Sequence, residues 1–147
     1  MKYSTNFDPD KTASAYGYEL HCSQKDSINL ARLIRGKKTE EAKKILQKII
    51  DTKLSVPAIY HNKKRAHQKG IGPASFPQKV AKYMLKTLEN AENNAEYKGF
   101  DIENMKIAHV STYGGRVIKG IMPRAHGRAT DKNTKTTNIE IVLEEVE

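Results

Sequence analysis

The sequence predicts an α+β fold: three helices packed on a small antiparallel sheet, with a long basic β-hairpin protruding from it. Three observations carry this expectation. Apolar residues recur at helical spacing in three separate stretches. Alternating, strand-like segments stand on either side of the helices. A glycine- and proline-punctuated basic run lies between β-forming flanks at residues 105–113 and 136–142, the pattern of a hairpin.

The elements follow in order. Residues 1–15 are polar and contain the turn Asp8-Pro9-Asp10, which reads as an extended, loosely held lead-in. Residues 16–22 alternate well enough for a short strand. Ser23 offers an N-cap, with Asp26 three residues on. Ile28, Leu30, Leu33 and Ile34 give the first helix its apolar face, and Gly36 supplies a left-handed stop. Thr39 is expected to cap a second helix, with Glu40 and Glu41 in the first turn where the helix dipole favours negative charge. Ala42, Ile45, Leu46 and Ile49 form its buried face as far as Asp51, leaving Lys43, Lys44 and Lys48 outward. Pro77 fits the first position of a third helix, about 20 residues or roughly 30 Å long. Its stripe is Val80, Ala81, Met84, Leu85, Leu88, Ala91 and Ala95, and Gly99 closes it. The return strand, residues 138–146, puts Ile139, Ile141 and Leu143 on one face, with Glu140, Glu144, Glu145 and Glu147 gathered at its acidic end. The expected organisation is a single domain, 1–147, with a globular body at about 16–104 and 137–147. A hairpin arm occupies about 105–136, and an irregular insert, 53–76, is broken by Pro57, Gly70, Gly72 and Pro73.

At 147 residues the chain is long enough for one modest core. Its net charge of +9 and pI near 9.6 point to nucleic acid or an anionic surface as partner. No apolar run approaches the length needed to span a bilayer, and residues 1–20 lack the apolar centre of a secretory signal. The one cysteine, Cys22, excludes an intramolecular disulfide and suits a reducing cytosol, so a cytoplasmic protein is expected. Cys22 next to His21 is no nucleophile–base pair, because neighbours on a strand point to opposite faces. His61, His67, His109 and His126 lack the paired spacing of a zinc site. Gly114-Gly115 and Gly120 are not set between a strand and a helix, as a phosphate-binding loop requires. No enzyme, metal or cofactor is expected.

The basic run has its own physical logic. Between Glu103 and Asp131 there is not one carboxylate, while Lys106, Arg116, Lys119, Arg124 and Arg128 fall inside that gap. About ten residues a side, at about 3.3 Å each, project roughly 30 Å. A two-stranded ribbon is marginal in water by itself, and charge of one sign repels itself. A polyanion is therefore expected to complete it. The candidate contacts are Arg32, Arg35, Lys37 and Lys38 at the first helix, Lys63, Lys64, Arg65 and Lys69 in the insert, and Arg116, Lys119, Arg124, His126, Arg128, Lys132 and Lys135 along the arm. The insert is expected to order on binding. The alternative is a free-standing nucleic-acid-binding regulator using residues 23–51 as a helix-turn-helix, in which Glu40 and Glu41 would face phosphates.

The run Met122-Pro123-Arg124-Ala125-His126-Gly127-Arg128-Ala129 resembles the hairpin-tip motif P-R-A-x-G-R-A of the ribosomal large-subunit protein twenty-two family. Leu33-Ile34-Arg35-Gly36-Lys37-Lys38 is similar to that family's first helix end, and Ala91-Glu92-Asn93-Asn94-Ala95-Glu96 to its long helix. The resemblance spans roughly residues 20–52 and 77–146 in the same order. The lead-in and insert are similar to the archaeal and eukaryotic branch. The resemblance implies a structural constituent of the large ribosomal subunit, with its body on the exterior near the opening of the nascent-peptide tunnel. The hairpin would reach inward through ribosomal RNA, its tip (Met122, Pro123, Arg124, Ala125, His126, Gly127, Arg128 and Ala129) lining the tunnel wall. The implied partners are large-subunit ribosomal RNA, neighbouring large-subunit ribosomal proteins and, at the tip, the nascent polypeptide. No membrane and no homo-oligomer are implied, and a role in subunit assembly is.

Overall fold

A computed structural model describes residues 3–145. The elements run β1 (Thr12–Leu20), α1 (Gln24–Ile34), α2 (Thr39–Ile50), β2 (Val56–Pro57), β3 (His67–Gln68), β4 (Gly72–Ser75), α3 (Gln78–Tyr97), β5 (Met105–Ile118), β6 (Ile121–Pro123), β7 (Ala129–Asp131) and β8 (Thr134–Glu145). The main sheet has the order β1-β8-β5, antiparallel throughout. Against it α3 packs on β1 and β8, α1 packs on β5, and α2 packs on α3. Leu30, Ile34, Leu46, Ile49, Met84, Leu88, Met105, Ile107, Ile139, Ile141 and Leu143 are fully buried between these layers. Each such side chain contributes about 1.5–3 kcal/mol.

The last strand is the central one, which explains a burial pattern that alternation alone does not predict. Residues 136–143 are buried without a break. Ile139, Ile141 and Leu143 belong to the core between sheet and helices. The opposite face is covered by the N-terminal segment: Ser4 donates its N–H to Glu140 Oε2 at 3.2 Å and its hydroxyl to Glu140 Oε1, and the Phe7 ring lies 5.8 Å from that of His109. Glu140 is therefore not part of an exposed acidic end. It is wholly buried, and His109 Nε2 sits 3.1 Å from its Oε1. The lead-in, expected to be loosely held, is fastened by this carboxylate.

The first helix is capped as expected, Ser23 Oγ accepting from Asp26 N at 3.4 Å. Gly36 adopts φ +77°, a left-handed conformation that costs glycine little. The turn it makes is stitched to the sheet: Gly36 N donates to Ile107 O and Ile107 N donates to Lys37 O, each at 2.9 Å. The basic end of α1 is thus tied to the root of the arm.

Several boundaries differ from the sequence reading, each for a local reason. β1 begins at Thr12 rather than residue 16, because Thr-Ala-Ser-Ala is too small to signal a strand but pairs with residues 141–144 of β8. It ends at Leu20, so His21 and Cys22 lie in a bend, with Cys22 buried. Thr39 is the first helical residue, not the cap; Lys38 holds that position, and Thr39 Oγ1 donates to Ile102 O at 3.5 Å. Pro77 precedes α3 as its cap residue. Lys43 is not outward but half-buried, ion-paired with the buried Glu92 of α3. The insert at 53–76 is not irregular: it holds a three-stranded sheet of order β2-β4-β3. Strands of two to four residues are too short to carry any periodicity.

Candidate nucleic-acid interface

The arm grows out of the main sheet without a joint. β5 and β8 stay paired as far as Ile118 and Thr134. Met105, Ile107 and Val110 are buried in the core, so the freely projecting part begins near Gly114, not at residue 105. At the neck, Lys132 N donates to Gly120 O at 2.7 Å and Gly120 N donates to Asn133 Oδ1 at 3.3 Å. A Cβ at position 120 would lie 2.7 Å from Lys132 O, which is why the strands approach so closely only with glycine there. Beyond it β6 and β7 pair Ile121 with Asp131, Met122 with Thr130 and Pro123 with Ala129.

The tip closes with Arg124 N donating to Arg128 O at 2.8 Å. His126 (φ 59°) and Gly127 (φ 66°) are both left-handed, two successive reversals that fold residues 125–127 into a tight 3-10 turn. Arg124, His126 and Arg128 rim a shallow concavity there. Every residue from 121 to 135 is exposed. Among the described residues, no carboxylate pairs with Lys119, Arg124, Arg128, Lys132 or Lys135, while Arg116 has a long contact with Glu19 at 3.7 Å. Val117, Ile118, Ile121 and Met122 are exposed too, apolar side chains that nothing in the fold covers.

On the body, Lys38, Lys63, Lys64 and Lys69 are exposed, and Lys37 pairs with Glu41 at 2.6 Å. Arg65 is spoken for: it holds Asp26 of α1 at 2.6 Å and donates to Ser75 Oγ at 3.4 Å. It is a strut for the insert. Arg35 Nη2 donates to Val110 O at 2.6 Å, and the Arg32 guanidinium lies 5.6 Å from the centroid of the Tyr60 ring. Two residues that the sequence reading passed over organise this region, Asn29 and Tyr60. A polar residue on the buried side of an amphipathic helix was the available signal for Asn29; nothing local marked Tyr60.

At the root of the arm the hydroxyls of Tyr113 and Tyr16 are hydrogen-bonded at 2.7 Å. Burial first, then this hydrogen bond, push the Tyr16 hydroxyl well above the ordinary tyrosine range. Among the described residues no three His, Cys, Asp or Glu side chains converge where a metal ion could sit. Among the described residues no helix is long and apolar enough to cross a membrane.

These elements define a class of architecture: an α+β body carrying a projecting, one-signed basic β-ribbon. The chain belongs to the family described as Ribosomal protein L22p/L17e, which matches residues 15–144 and so includes all three stretches quoted for the resemblance. Archaeal relatives extend the match over nearly the whole chain. It is similar to the large ribosomal subunit protein uL22 of Archaeoglobus fulgidus, 47% identical over 140 residues and covering 93% of this chain and 90% of that protein. Its likeness to the uL22 of Methanococcoides burtonii is 46% over 147 residues (99% and 97%), and to that of Thermofilum pendens 43% over 147 residues (99% and 97%). The family is one of structural ribosomal proteins, not of enzymes.

Proposed function

We propose that this chain is a structural constituent of the large ribosomal subunit in the cytoplasm. It binds large-subunit ribosomal RNA through the arm and the basic side of the body, supports assembly of that subunit, and contributes residues 122–129 to the wall of the nascent-polypeptide tunnel. One observation carries the reading: the ribbon beyond residue 115 sets Arg116, Lys119, Arg124, Arg128, Lys132 and Lys135 against the single carboxylate Asp131, exposed and with little to neutralise them inside the fold. Family membership supports the setting. Arg124 and Arg128 fork onto phosphates or stack on unpaired bases. Ala125, Gly127 and Ala129 keep the ribbon thin, so its backbone approaches RNA closely, and the exposed Ile121 and Met122 have bases to lie against. Binding releases counterions and weakens steeply with salt.

The free-standing regulator finds less support, because α2 starts with exposed Glu40 and Glu41 and is fastened to α3 through Lys43 and Glu92. Two measurements test the proposal. Nearly all cellular copies should co-sediment with large subunits; a mostly free pool refutes it. Amide exchange over residues 114–135 should be fast in the isolated protein and strongly slowed in purified large subunits, whereas equal rates in both would mean that RNA does not complete the arm.

A further inference from the structure

A second site lies away from the arm. Between α1 and β5 runs a groove of about 560 Å³, within the range of small-molecule sites. Tyr60 stands in its wall with half of its surface exposed, and its place is set from inside the fold. Asn29, itself 5% exposed, accepts from the backbone N–H groups of Ile59 and Tyr60 at 3.1 and 3.0 Å. Its amide donates to Tyr60 O and to Lys25 O, each at 2.9 Å. Every hydrogen-bonding capacity of that side chain is used, and the strut between Arg65 and Asp26 fastens the insert a second time. The aromatic ring is therefore preorganised, although it hangs on a connecting segment.

The rest of the groove is cationic and free of acid. The Arg32 guanidinium lies against the Tyr60 ring. Arg35 spends one N–H on Val110 O, which tethers its guanidinium to β5 while its remaining donors find no protein acceptor among the described residues. Ser111 and Thr112 present hydroxyls along the β5 side, Ile28 and Ala31 supply apolar surface, and no carboxylate lines the groove.

We infer that this groove takes one unstacked nucleotide of RNA, resting on the reading above that the chain binds ribosomal RNA. The exposed Arg32 guanidinium turns from the Tyr60 ring to the phosphate, which it holds with Arg35, the base takes its place on the ring, and the Ser111 and Thr112 hydroxyls bond to the 2′-hydroxyl or a base edge. A paired base has both faces covered by its neighbours, so only an extruded one offers a face to an aromatic side chain. An acidic peptide would satisfy the two arginines but leave the ring and the apolar surface without a counterpart. The positioned aromatic beside two guanidinium groups favours the nucleotide.

The test is ultraviolet cross-linking and peptide mass spectrometry on purified large subunits holding the full chain, with binding of the isolated chain to a mixed-sequence single-stranded RNA of twelve nucleotides alongside. The expected results are a nucleotide adduct on Tyr60, separate from adducts on the arm, and about tenfold or greater loss of single-strand affinity in Tyr60→Ala. Tyr60→Phe keeps the affinity, and binding to an RNA duplex is unchanged in both variants. The ring is half exposed and its backbone is held by Asn29, so Tyr60→Ala should fold, which its melting temperature checks. Arm adducts without a Tyr60 adduct overturn the nucleotide site and leave the RNA-binding role intact. A chemical cross-link from the 59–64 segment to a neighbouring protein, with no nucleotide on Tyr60, overturns it in favour of a protein partner. Absence of any adduct, on groove or arm, removes both readings.

Discussion

Replacing Arg124 and Arg128 together by alanine separates what the arm does from what the body does. Both side chains are exposed at the tip, and the bond that closes the tip, Arg124 N to Arg128 O, is between main-chain atoms and survives the change. Exposed substitutions of this kind stay within about 0.5 kcal/mol, which for a chain of this size moves the melting temperature by about 2 °C or less. RNA binding should respond quite differently. Each neutralised phosphate contributes about 0.7 to 0.9 to the slope of log affinity against log salt, so losing two lowers that slope by about 1.4 to 1.8. Between 50 and 200 mM salt, the gap between parent and variant should then narrow roughly tenfold. Fluorescence anisotropy with a large-subunit RNA fragment, titrated across that range, measures the slope directly. An unchanged slope would show that the two arginines touch no phosphate. A fall in melting temperature of more than about 5 °C would show that the tip is part of the folded core's stability, and the division between body and arm would fail.

Three further outcomes follow from particular contacts. Gly120→Ala drives a Cβ to 2.7 Å from Lys132 O, so in purified large subunits, where the arm is slowed, amide exchange should accelerate across residues 118–134 while the isolated chain's melting temperature holds; intact protection there would mean the neck is not closed as described. Lys43→Ala leaves the buried Glu92 carboxylate without its partner; as Lys43 is itself partly exposed, the loss in urea unfolding should be about 1–3 kcal/mol, that of an unsatisfied buried acceptor, most of it recovered by adding Glu92→Gln; no recovery in the double variant refutes the pairing. The raised Tyr16 hydroxyl favours the neutral form in the folded state, so the stability it contributes is whole below the ordinary tyrosine value of 10.0 and is lost as pH rises above it. Parent protein should therefore lose stability above pH 10 more steeply than Tyr16→Phe, and parallel curves would exclude the effect.

The tip was the most legible part of the chain. Its glycines, proline and arginines act through backbone conformation and charge, which depend on residue type more than on neighbours. Gly36, Gly99 and the apolar stripes of the three helices were legible for the same reason: their periodicity and left-handed stops are written into adjacent residues. The basic face of the body was only half visible. Lys63, Lys64 and Arg65 look alike in sequence, yet Arg65 is consumed by Asp26 and the two lysines are exposed, because only the folded insert decides which cation meets a carboxylate.

By itself, then, the sequence determined an α+β chain with three amphipathic helices, a long basic hairpin and a net charge suited to a polyanion. Those properties need only local spacing and composition. The tertiary structure alone decided that β8 is the central strand, which buries Glu140 and fastens Ser4 across the sheet. It alone decided that Asn29 reaches 31 positions along the chain to hold Tyr60 beside Arg32 and Arg35. Such contacts join residues far apart in the chain, and their energy comes from desolvating polar groups together, so no single stretch carries a sign of them.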